Sequence, residues 1–130
     1  MRRVSRPYPY AYGFIIGTCA ADGDSVDCYI ITKDPLKTGT IVECEQIGLL
    51  EQYENGEADH KVLATLPGQH VEINQELLNV FCDFIYGVFT QFPKTRVSVG
   101  RILPVQAAIN HIQQFQEIKE KQHQTICCLS

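Results

Sequence analysis

Between Gly13 and Leu66 the chain runs in short apolar, β-branched stretches broken by turn residues, and beyond Pro67-Gly68 the apolar spacing becomes helical. The strand candidates are Gly13-Phe14-Ile15-Ile16-Gly17-Thr18-Cys19, Val26-Asp27-Cys28-Tyr29-Ile30-Ile31-Thr32, Thr40-Ile41-Val42-Glu43-Cys44, Gln46-Ile47-Gly48-Leu49-Leu50 and 60–66. Asn55-Gly56 marks a tight turn between the last two. Strands this short and this regularly spaced predict a small closed barrel or sandwich. Past Asn74, an expected N-cap, Leu77, Leu78, Phe81, Phe84, Ile85, Val88 and Phe89 form one helical stripe that Pro93 ends. Arg96–Val99 reads as a further strand. Pro104 opens a second helix lined by Val105, Ala108, Ile109, Ile112, Phe115 and Ile118. The expected architecture is α+β and mostly β: a barrel with two C-terminal helices packed on it.

At 130 residues the chain makes one domain, expected over 1–124, with 125–130 as a tail. A formal charge of −4, with Arg2, Arg3 and Arg6 as the one basic cluster, argues against a nucleic-acid partner. No apolar run approaches a membrane span, and the Met-Arg-Arg start lacks a signal-peptide core. Cys19, Cys28, Cys44 and Cys82 each sit in apolar sequence and are expected to pack as reduced, small hydrophobes of a cytoplasmic protein.

Chemistry concentrates in Asp22-Gly23-Asp24-Ser25-Val26-Asp27, three carboxylates within six residues with no Lys or Arg within five residues on either side. A divalent cation is the natural partner of such a cluster, and hard oxygen ligands suit Mg²⁺, or Mn²⁺ in its place. An EF-hand is excluded because its twelfth position, which requires Glu, is Lys33. No Cys or His pair has the spacing of a zinc site. His60, His70, His111 and His123 are scattered and are assigned no chemistry.

The order of motifs adds more. Tyr8-Pro9-Tyr10-Ala11-Tyr12-Gly13-Phe14-Ile15 precedes the Asp cluster; Pro35-Leu36 with Gly39, Ile47-Gly48-Leu49 and Asp59-His60-Lys61-Val62-Leu63-Ala64 follow it. This series, from about Tyr8 to Pro67, closely resembles the soluble family I inorganic pyrophosphatases. The resemblance implies an OB-like five-stranded barrel with the active site on its surface, and Mg²⁺-dependent hydrolysis of pyrophosphate to two phosphates. It implies Asp22, Asp24, Asp27, Asp59 and Glu54 as metal ligands, with Asp24 also the general base. Lys61 would hold a phosphate oxygen. Tyr12 would hydrogen-bond near the substrate, and Tyr8 would support the pocket. It also implies a homo-oligomer.

The family carries a segment ahead of the Tyr-Pro motif that supplies two Glu, a Lys and an Arg. Seven residues precede Tyr8, and Arg2 or Arg3 is the candidate for that Arg, with Arg3 taken as the substrate contact. The Tyr-Lys pair on the family's first helix falls near Val88-Phe89, with Tyr86 close by but out of register. Fewer cations around the phosphates predict reduced efficiency. The alternative is a catalytically impaired member acting as a metal- or phosphate-binding or interaction module. The ending Cys127-Cys128-Leu129-Ser130 fits a C-a-a-X farnesylation pattern, so a membrane location is expected only if Cys127 is prenylated.

Overall fold

A computed structural model describes residues 8–19, 25–90, 92–116 and 125–129. Nine elements follow in order: β1 (Ala11–Ile15), β2 (Asp27–Ile30), β3 (Ile41–Glu54), β4 (Glu57–Ala58), β5 (Lys61–Thr65), α1 (Gln75–Phe89), β6 (Val97–Pro104), α2 (Val105–Phe115) and β7 (Thr125–Leu129). The pairings run β3-β5-β2-β1-β7, and β7 pairs back onto β3. Five strands therefore close an OB-like ring, as expected, with β2 and β5 parallel and the other pairs antiparallel.

Closure depends on β3, which serves three neighbours along its 14 residues. Ile41–Cys44 pair with β7, Glu45–Leu50 with β5, and Gly48–Glu54 with β6. The two strands expected at 40–44 and 46–50 are thus one strand, bent where its register shifts between Gln46 and Gly48. The Asn55-Gly56 turn forms as its sequence dictates, with φ of 54° and 82°, and leads into β4.

Alternation along the strands splits the apolar side chains into two cores. Cys28, Ile30, Val62, Ala64, Cys127 and Leu129 fill the barrel interior with Ile15, Cys44 and Leu49, and α2 plugs it with Ala108 and Ile112. On the outer wall Tyr29, Leu50 and Leu63 meet Leu77, Phe81, Phe84, Ile85 and Val88 of α1. Asn74 caps α1 as expected, its side chain accepting from the Leu77 N–H at 3.0 Å. Ile118 lies outside the described residues.

Two expectations change. Residues 125–129 are not a tail but the strand that completes the ring, and Cys127 is wholly buried inside it. A prenyl group has no room on that thiol, so the expected lipid site, and the membrane alternative with it, loses its attachment point. Cys19, expected in apolar packing, is exposed past the end of β1.

One half-buried titratable group on α2 gives a stability prediction. His111 lies against Phe115 and 5.9 Å from His60, and burial, then the charge of His60, push its pKa down to about 4. The fold favours the neutral ring, so this contribution is intact above the unfolded value near 6.5 and is lost as pH falls towards 4. Denaturant unfolding from pH 7 to 4 should show stability falling less steeply in His111→Phe than in the unsubstituted chain. Equal slopes would contradict this account of His111.

Candidate active site

Asp27 opens β2 and Lys61 opens β5, and the parallel register Cys28–Val62, Tyr29–Leu63, Ile30–Ala64 brings these two strand starts side by side. Cys28 and Val62 point into the barrel, so Asp27 and Lys61 share the outer face. Lys61 Nζ donates to Asp27 Oδ2 at 2.6 Å and pairs with Asp59 Oδ2 at 3.1 Å. The lysine side chain is only 7% exposed, whereas the two carboxylates are about a third exposed, at 31% and 32%. Burial alone would strip the ammonium of its proton, but the charges and hydrogen bonds of Asp27 and Asp59 together outweigh it and raise the pKa of Lys61. The lysine is therefore a fixed cation. Asp27, with no basic neighbour in sequence, finds its counter-charge across the parallel pair.

Aromatic rings build the wall beside this cation. Tyr8 stacks on Tyr12 with centroids 4.5 Å apart, and Tyr12 lies 4.8 Å from Tyr29. Tyr8 also meets Phe84 of α1 at 5.3 Å. The Tyr12 hydroxyl hydrogen-bonds with Asp27, and burial followed by the negative charge of Asp27 raises its pKa, so it remains a protonated donor. The Lys61 Nζ stands 6.0 Å from the Tyr12 ring centroid. Tyr29 and Phe84 were missed as walls of this pocket. The signal for Tyr29 was its place two residues after Asp27, on the same strand face.

Asp59 enters from the turn after β4, its N–H donating to Gln52 O at 2.8 Å. Burial is the main influence raising its pKa, opposed by Lys61 and reinforced by the charges of Asp27 and Glu54. Glu54, at the end of β3, is thus electrostatically part of the group. The carboxylates of Asp22 and Asp24, and Arg2 and Arg3, lie outside the described residues. Thr18 links the chain on either side of residues 20–24: its hydroxyl donates to Ile15 O at 2.7 Å and accepts from the Val26 N–H at 2.9 Å. His60 turns away from the site and accepts from the Gln52 N–H. The positions on α1 near which the family's Tyr-Lys pair falls do not face the site. Val88 is buried in the outer core, Phe89 packs against it, and the Tyr86 hydroxyl accepts from the Val99 N–H.

The donors present fit a hard divalent cation. Asp27 and Asp59 are carboxylates that already converge on one positive centre and are open enough for an ion to reach from solvent. Cys28, the soft ligand next to Asp27 on β2, faces the barrel interior instead.

The sequence profile of the inorganic pyrophosphatase family matches residues 2–120. The chain belongs to the inorganic pyrophosphatase family. It is 40% identical over 73 residues to an inorganic pyrophosphatase of Mycoplasma genitalium, a match that spans 55% of this chain and 40% of that one. Identity to the Aquifex pyrophilus inorganic pyrophosphatase is 42% over 57 residues, 44% of this chain and 32% of the other. The chain therefore spans less than half the length of these curated relatives. Among solved structures, the inorganic pyrophosphatase of Coxiella burnetii superposes with a TM-score of 0.76 at 25% identity, covering 85% of this chain and 72% of that one.

Proposed function

We propose that this pyrophosphatase-family chain hydrolyses inorganic pyrophosphate to two phosphates in a Mg²⁺-dependent reaction at the Asp27–Lys61–Asp59 site. The observation that carries the reading is Lys61, a nearly buried ammonium held between two accessible carboxylates where the family motif places a phosphate contact. Asp27 and Asp59, with Asp22, Asp24 and Glu54, would hold the Mg²⁺. Its charge would offset that of the phosphates during transfer. Lys61 Nζ takes a phosphate oxygen as a point charge fixed before substrate arrives, so little reorganisation is needed. The Tyr12 hydroxyl, kept protonated, donates to the same region, and Tyr8 stacked upon it fixes the ring. Asp24 takes the proton of the attacking water.

With Val88 and Phe89 turned into the core, the leaving phosphate lacks a cationic grip from α1, which supports a reduced turnover. A cytoplasmic site of action and Mn²⁺ as a substitute metal belong to this reading. So does a homo-oligomer, for which the exposed Ile16, Ile41 and Ile126 around β7 offer an apolar face. Sedimentation velocity should then show an assembly larger than one chain; a monomer at all concentrations would contradict the oligomer.

Titration calorimetry with imidodiphosphate, which keeps the shape of pyrophosphate but resists hydrolysis, tests the site. Binding should require Mg²⁺ and weaken by at least about tenfold in Asp27→Asn, since one charged contact contributes about 1.5–3 kcal/mol. Binding indifferent to Mg²⁺ or to that substitution would sink the assignment.

A further inference from the structure

On the opposite side of the β2 wall from Asp27, three cysteines meet. Cys28 from β2, Cys44 from β3 and Cys127 from β7 all lie inside the barrel, each with 0% exposure. Their sulfurs are within 4.8 Å of one another, and Cys44 and Cys127 approach to 3.2 Å. We propose that these three thiols form a binding site for a soft, thiophilic monovalent cation of the Cu(I) class, separate from the phosphate chemistry of the outer wall.

The ligand set selects the ion. No carboxylate or imidazole joins the group among the described residues, which excludes hard cations and leaves zinc one ligand short of its usual four. Metal–sulfur bonds of about 2.3 Å in a trigonal plane put sulfurs about 4 Å apart, close to the spacing found here. The soft thiolate environment suits Cu(I). Cysteine binds a metal as the thiolate, so the ion displaces thiol protons as it binds and these are released to solvent.

A disulfide fits less well. Cys127 stands opposite Val42, so Cys44 is its diagonal neighbour two positions along. Such diagonal pairs have Cα atoms about 7–8 Å apart, beyond the roughly 4.4–6.8 Å that a disulfide spans.

Because the thiols are sealed, the ion is expected to enter as the chain folds. The full chain is refolded without oxygen in Cu(I) buffered by a competing chelator, then freed of excess and assayed for bound copper and for the ultraviolet absorption of copper–thiolate bonds. One ion per chain is expected, retained when the other three cysteines are replaced together (Cys19→Ser, Cys82→Ser, Cys128→Ser). Cys44→Ala and Cys127→Ala should each weaken binding by at least about a hundredfold, since losing a mere supporting partner of a ligand already costs about 10–100-fold. Should those variants fail to fold, X-ray absorption on the unsubstituted copper-loaded chain decides, with three sulfur neighbours expected. Nitrogen or oxygen neighbours would overturn the site. So would copper that follows the surface cysteines, no copper beyond the chelator, or a purified chain lighter by two hydrogens from a Cys44–Cys127 disulfide.

Discussion

Lys61→Ala is expected to lower stability by about 2–3 kcal/mol at neutral pH in the presence of a chelator, and to recover much of that loss when Mg²⁺ is added. Removing one partner of a buried ion pair typically costs about 3–5 kcal/mol; the partly exposed carboxylates here reduce the figure. What remains after the substitution is Asp27 and Asp59 facing a gap with no counter-charge between them. A divalent cation can fill that role, whereas in the unsubstituted chain it must share the carboxylates with the ammonium. The folded pKa of Lys61 is raised, so its contribution is whole below the unfolded value near 10.4 and fades as pH climbs through the folded one. The gap between the two proteins should therefore narrow only at strongly alkaline pH. Denaturant unfolding with and without Mg²⁺ measures this. Equal stabilities at pH 7, or a loss that Mg²⁺ deepens, would count against the lysine as the site's built-in cation.

Gly13→Val is the second large effect, and it concerns closure of the barrel. Gly13 pairs with Cys28 on one side and Leu129 on the other. A Cβ there would come within 2.1 Å of the Cys128 carbonyl oxygen and 2.9 Å of Leu129 Cα. Both are backbone atoms, so no side-chain rotation relieves the clash, and β7 must move off β1. Overpacking of this kind costs about 1–3 kcal/mol and more where the backbone is displaced, and a loss of about 3 kcal/mol or more is expected. Val80→Thr, on the exposed side of α1, should stay within about 0.5 kcal/mol. Chemical denaturation of both variants checks the pair; a mild Gly13→Val would mean that β7 does not depend on that close approach.

The sequence made some of this legible and hid the rest for physical reasons. The stripe from Leu77 to Phe89, its Asn74 cap and the Asn55-Gly56 turn are local signals, and each forms where it was expected. The shape of β3 is not local. One strand serving three neighbours reads as two, because its register shift falls in the middle of the apolar pattern. β7 was mistaken for a tail because its five residues follow a polar stretch and carry no turn signature of their own. Only pairing with β1 and β3 makes it a strand.

The candidate site divides the same way. Motif order marked Asp27, Asp59, Lys61, Tyr8 and Tyr12, and the structure brings these five together. That Lys61 neutralises both carboxylates follows from the parallel β2–β5 pairing, which nothing local encodes. The meeting of Cys28, Cys44 and Cys127 was equally hidden, since the residues are spread over the length of the chain and share one barrel interior only once the ring closes.

Phosphate release from pyrophosphate at saturating Mg²⁺, for the unsubstituted chain beside Asp24→Asn, tests the central claim most directly. The account predicts Mg²⁺-dependent release that falls at least about a hundredfold on substitution, the usual scale for losing a positioned general base. Release at background from the unsubstituted chain, or release that Asp24→Asn leaves unchanged, would contradict it.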